Sequence, residues 1–158
     1  MLTSTRLAPA DLRAAVVAFR DALRTSAPAL NRLNVYPVPD GDTGKNMLGT
    51  IERVVAELEG AGDSMAEVCQ AIAYGSLMGA SGNSGIILCQ VLRGLAETMK
   101  AADAAGPAEV AAGLRNASRQ ADGAVARPME GTILSVVRAS AGAAEDAAAG
   151  GADLEGLL

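Results

Sequence analysis

Histidine is absent from all 158 residues of the chain. That excludes Ser-His-Asp and Cys-His catalysis built from this chain alone, and also the HExxH zinc site. Tryptophan is absent too, and aromatics make up 2% of a chain that is 50% hydrophobic. The core must then come from Ala, Leu, Val, Ile and Met. Only two cysteines occur, Cys69 and Cys89. They lie far apart within helical patterns, form neither a CxxC pair nor a zinc ligand set, and read as buried reduced thiols. No run of about 18 apolar residues exists, so nothing spans a membrane. The N-terminus lacks a charged flank followed by an apolar signal core, so export is not expected and a cytoplasmic location is. The formal net charge is -5, with no basic stripe or aromatic platform suited to nucleic acid.

What is present is alanine and small-residue helix. A chain of this length can bury a real core as one domain. Leu12, Val16, Phe19 and Leu23 fall on one helical face, predicting a first helix from Pro9 to about Thr25. Pro28 is expected to interrupt it, with a short further turn through Leu33. A second helix is predicted from Thr43 to about Glu59, with Met47, Ile51, Val54, Val55 and Leu58 as its apolar stripe and Gly60 and Gly62 at its end. A third runs from Ser64 to about Leu77, opened by a Ser64–Glu67 capping box. A fourth follows the Gly79–Gly85 run and reaches about Lys100. A fifth covers Pro107 to Gln120, a sixth Thr132 to about Ala148, and the last residues begin another. No strand-like alternation is sustained, so the fold class is all-α. In an up-down bundle, the glycine-rich junctions at 40–44, 79–85 and 130–132 gather at one end.

The chemistry concentrates in those junctions. Asp40 and Asp42 stand one residue apart, between glycines, at a helix start. Carboxylates there can hold a divalent ion while helix-start amides hold phosphate oxygens, which reads as a magnesium-nucleotide site. Pro37 and Pro39 stiffen the approach, and Asn34 can add a neutral oxygen to the metal set. Thr43, Gly44 and Asn46, at the same helix start, join the nucleotide-binding set. An EF-hand fails: counted from Asp40, its glycine and glutamate positions hold Lys45 and Ile51. Ser81, Asn83, Ser84 and nearby amides can cradle phosphate, although the run is neither GxGxxG nor a Walker A loop. Asp42, Ser84 and Thr132 can each equally be ordinary caps. Lys45 reads as a solvated helix side chain.

Three ordered motifs carry a resemblance: Asn34-Val-Tyr-Pro-Val-Pro-Asp-Gly-Asp-Thr-Gly-Lys-Asn-Met47, Leu77-Met-Gly-Ala-Ser-Gly-Asn-Ser-Gly-Ile-Ile-Leu88 and Arg127-Pro-Met-Glu-Gly-Thr-Ile-Leu134. Together they resemble the nucleotide-binding domain of the dihydroxyacetone kinase L-subunit superfamily. The nearer branch is the N-terminal ATP-binding domain of bacterial fatty acid kinase, because Thr43 stands where the dihydroxyacetone kinase branch has histidine. The resemblance implies an antiparallel helical barrel with ATP or ADP and two magnesium ions at one end. It places metal ligands at Asp40 and Asp42, with Asn34 near a further family aspartate. The phosphate loop falls on Ser81, Gly82, Asn83 and Ser84, and Thr132 lies near the nucleotide. The implied activity is phosphorylation of a fatty acid carboxylate, held by a separate carrier protein, to an acyl phosphate. A homodimer is compatible with it. A dihydroxyacetone kinase L subunit transferring phosphate through ADP is the alternative, and a non-catalytic helical interaction module another. Family domains continue into helices bearing an Asp-Ala-Gly-Gly-like motif that this chain lacks. The expectation is one domain over 1–158, a fragment without its C-terminal helices and of doubtful activity alone.

Overall fold

Thr43 does open a helix that closes at Glu59, and among the described residues one helix precedes it and five follow. A computed structural model describes residues 5–35 and 38–157. The elements are α1 (Pro9–Leu33), α2 (Thr43–Glu59), α3 (Met65–Gly79), α4 (Gly82–Met99), α5 (Pro107–Gly123), α6 (Ile133–Ala149) and α7 (Leu154–Leu157). Among the described residues the only β pairing is an isolated bridge between Leu7 and Ala105. The all-α class is therefore what the molecule has.

Pro28 does not interrupt α1, which continues through it to Leu33. An interior proline costs about 3 kcal/mol in a helix, so tertiary contacts must offset it. Ala27 is buried and its backbone lies directly against Gly44, while Leu30 packs on the core from the next turn. Phe19 is a second departure: Leu12, Val16 and Leu23 are buried as the stripe predicts, but Phe19 is 39% exposed. The reason is topological, since α1 is an edge helix that packs chiefly on α2 and meets only this side of the array.

α2 is central, packed against α1, α3 and α4. Met47, Ile51, Val54 and Leu58 are buried there with Val55 partly so. The Ser64–Glu67 box forms at the head of α3: the Glu67 amide donates to Ser64 Oγ at 3.2 Å and the Ser64 amide to Glu67 Oε2 at 3.1 Å. Cys69 and Cys89 are buried thiols without a disulfide, and burial pushes Cys69 up to about 11.

With so few bulky residues, the helices meet nearly backbone to backbone. A Cβ on Gly75 would stand 2.7 Å from Val54 Cα, and one on Gly94 2.6 Å from Ala117 Cα. These contacts set the order. α1 runs antiparallel to α2, since Arg13 near the start of α1 donates to Ala61 O just past the end of α2 (2.8 Å) while Ala27 meets Gly44; α3 is antiparallel to α2 as well, since Gly79 at its end lies against Thr50 and Gly75 against Val54. α2 and α4 start together, with Gly82 on Asn46 and Gly85 on Thr50. α5 follows antiparallel to α4, and Arg115–Glu145 and Arg138–Asp122 pairs align α6 antiparallel to α5. α2, α4 and α6 therefore begin at one end. At the other, Leu7 and Ala105 exchange both backbone hydrogen bonds (2.7 and 2.9 Å), and the Arg6 guanidinium donates to Ala104 O at 2.6 Å.

Candidate functional site

The shared end is built around the Asp40–Asp42 turn. Gly41 sits between the two aspartates at φ +68°, a left-handed conformation that glycine adopts without a Cβ penalty. Asp40 is exposed and makes no hydrogen bond or ion pair among the described residues. Asp42 occupies the N-cap position of α2, yet its carboxylate makes no capping bond. The capping comes instead from the end of α1. Asn34 Oδ1 accepts from the Thr43 amide at 3.2 Å and from the Thr43 hydroxyl, and Asn31 Oδ1 accepts from the Lys45 amide at 3.1 Å. Asn34 Nδ2 meanwhile donates to Val38 O at 2.8 Å, closing the loop at its base. Both aspartates are thus left available to a cation. Pro37 and Tyr36 of the first motif lie outside the described residues. Pro39 lies within them, and Lys45 is exposed as expected.

The Gly79–Gly85 run is less of a loop than its composition suggests. Only Ala80 and Ser81 separate α3 from α4, which starts at Gly82. The reversal is achieved by Gly82 at φ +63°, which feeds straight into the helix. Ser81 is the N-cap residue but offers no side-chain cap. The amides of Gly82, Asn83 and Ser84 therefore take no acceptor from outside the helix among the described residues. The first amides of a helix point outward with positive dipole potential, and at this terminus they stand without an acceptor among the described residues. The expectation that α2 supplies such amides is corrected, because Asn31 and Asn34 already engage those of Thr43 and Lys45.

The two junctions touch. Ser84 Oγ donates to Thr43 O at 3.1 Å, and the Asn46 amide lies over Gly82, whose added Cβ would sit 2.9 Å from Asn46 Cγ. Gly44 is buried beneath them against Ala27. Thr50, unmarked by any motif, is fully buried, and its hydroxyl lies within hydrogen-bond reach of Asn46 O (2.9 Å) and Gly79 O (3.1 Å), between which its one proton is shared. A threonine within an apolar stripe carries no sequence signal for that role.

The third junction closes on itself. Thr132 caps α6, accepting from the Leu134 amide at 3.3 Å and donating to Met129 O at 2.8 Å. Glu130 accepts from Ser135 Oγ at 2.7 Å and from Arg138. Nothing here links Thr132 directly to Asp42 or Gly82; it shares their end through the helix order alone. The Ser135 hydroxyl, then the Arg138 guanidinium, hold the Glu130 carboxyl below its ordinary value. A depressed carboxyl stabilises the fold above its unfolded value and loses that effect as pH falls through the folded one. The parent's melting-temperature advantage over Glu130→Gln is therefore expected to shrink below about pH 4.3. Thermal unfolding of both proteins from neutral to acid pH checks it.

Large apolar side chains crowd the same end. Ten are exposed among the described residues, and only Phe19 and Tyr74 lie mid-helix away from it. Leu33, Val35 and Val38 flank the aspartate loop, Leu77 and Met78 end α3, and Ile86 follows the α4 start. Where such side chains form a contiguous patch, they mark a surface that meets another molecule.

Residues 37–158 match the DAK2 domain family. The chain belongs to that family. The match agrees with the three motifs, which point to the dihydroxyacetone kinase L-subunit-like superfamily of nucleotide-binding domains in kinase-related systems. The chain is 40% identical over 127 residues to Protein YloV of Bacillus subtilis, covering 80% of this chain and 23% of that protein. It is 41% identical over 123 residues to the Uncharacterized protein SH1689 of Staphylococcus haemolyticus, covering 77% and 22%. The chain thus spans less than a quarter of the length of the curated relatives it matches. No helix among the described residues of the DAK2 domain is long and apolar enough to cross a membrane.

Proposed function

We propose that this DAK2 domain binds ATP with magnesium between the Asp40–Asp42 loop and the amino end of α4, as the nucleotide-binding part of a cytoplasmic fatty acid kinase. The observation that carries the reading is the N-cap aspartate whose carboxylate does not cap, followed in the chain by Thr43, whose carbonyl accepts from Ser84 at a helix start with open amides. Among the described residues no group of three or more His, Cys, Asp or Glu gathers as a metal cage. Two carboxylates suit magnesium, which keeps waters and shares itself with substrate phosphates. Asp40 and Asp42 would hold the ions, two by family resemblance, with Asn34 shaping the loop. When bound, magnesium would neutralise charge on the phosphates.

The α4 amides of Gly82 and Asn83 then orient the phosphate oxygens, and Thr43, Gly44 and Asn46 support the loop from below. Thr132 lies at the same end. The acceptor is a fatty acid carboxylate, ionised at neutral pH and nucleophilic without a general base, which suits a chain that has no histidine. Its oxygen attacks the γ-phosphorus, the bond to the β-phosphate oxygen breaks, and ADP leaves with an acyl phosphate formed. Positioning and charge neutralisation carry most of such a transfer. The apolar rim supports delivery of the acyl group by a separate carrier protein, and Thr43 favours this branch over dihydroxyacetone phosphorylation. The domain is proposed as one unit over 1–158, with further helices contributed by a longer chain.

Thermal shift and calorimetry with ATP test the reading. Magnesium is expected to strengthen nucleotide binding to the parent, and Asp42→Ala to abolish that gain while melting near the parent temperature. Equal responses in the two proteins would remove the metal assignment.

A further inference from the structure

Ser84 falls in the phosphate motif, but its hydroxyl points elsewhere. A serine hydroxyl has one proton to donate, and this one goes to Thr43 O at 3.1 Å, a carbonyl one residue beyond Asp42. Thr43 is held from its other side by Asn34, through both its amide and its hydroxyl. Two turns deeper, Thr50 repeats the arrangement. Its hydroxyl reaches carbonyls of α2 and of the last residue of α3, and Gly85 of α4 lies so close that an added Cβ would stand 2.7 Å from Thr50 Oγ1. Three helices are thereby registered at one buried polar point.

Resting on the magnesium-nucleotide reading above, we infer that Ser84 is a positioning residue and not a phosphate ligand: through Thr43 it fixes the aspartate loop relative to the α4 amides, and Thr50 fixes the same helices one layer down. Metal and phosphate halves of the site then act as one rigid piece. Their benefit to each other depends on these two hydroxyls, while the affinity of the α4 amides for bare phosphate does not.

The distinguishing quantity is the magnesium enhancement, the ratio of ADP dissociation constants without and with the metal. Calorimetry on the 158-residue chain measures it. Ser84→Ala is expected to cut the enhancement about tenfold, as loss of a supporting hydrogen bond does at metal sites, and to leave metal-free ADP affinity unchanged. Thr50→Val is expected to do the same at a lower melting temperature, and Thr50→Ser, which retains the hydroxyl, to restore the enhancement. A Ser84→Ala protein that loses metal-free and metal-bound affinity equally would make Ser84 a direct ligand and overturn the inference. So would a Ser84→Ala protein with the parent's enhancement. A parent with no enhancement at all, matched by Asp42→Ala, would instead overturn the magnesium reading and this inference with it.

Discussion

Gly44→Ala is expected to lower the melting temperature by about 6–12 °C, corresponding to roughly 3 kcal/mol of overpacking in a domain of this size. The added methyl would stand 2.7 Å from Ala27 Cα and 2.9 Å from Ala27 C. Both walls are backbone, so no side chain can swing aside, and relief requires α1 to move away from α2. Pro28 sits next to the contact and limits how α1 can bend to accommodate it. A Gly49→Ala control, where nothing lies within 4 Å of an added Cβ, should melt at or slightly above the parent temperature. Circular dichroism melts of the three proteins check the prediction, and a Gly44→Ala chain as stable as the parent would deny the close approach.

Gly82→Ala is expected to act on binding more than on folding. At φ +63° a residue with a Cβ carries about 1–2 kcal/mol of strain. Here, unlike at Gly44, the obstacle is the Asn46 side-chain amide, which can rotate away. The fold survives, but the first turn of α4 shifts and its open amides lose their aim. Nucleotide affinity is expected to fall about tenfold, the equivalent of roughly 1.4 kcal/mol, with the melting temperature down by only a few degrees. Calorimetry beside a thermal melt separates the two effects. An affinity equal to the parent's would remove α4 from the proposed site.

Local signals were the readable part of this fold. The Ser64–Glu67 box and the Thr43 start of α2 depend on residues within one turn, and both stand in the structure where their spacing places them. Pro28 was misleading because its helix-breaking tendency is intrinsic, whereas the Ala27–Gly44 contact that overrides it joins residues far apart in the chain. Glycine density made 79–85 read as loop, but only Gly82 uses its conformational freedom there, and Gly79 and Gly85 serve as close approaches inside or beside helices. At the candidate site the aspartates and the Ser81–Ser84 run were legible as chemistry. Asn31 and Thr50 were not. Each acts on a partner 14 or more residues away, Asn31 on the Lys45 amide and Thr50 on Gly79 O, and neither type of contact leaves a periodic trace.

The clasp made by Arg6 and Leu7 on Ala104 and Ala105 joins the segment ahead of α1 to the segment ahead of α5, two stretches almost a hundred residues apart along the chain. Beyond the Arg6 guanidinium it is backbone pairing, so the first helix is anchored at its outer extremity by main-chain groups that almost any residue could supply.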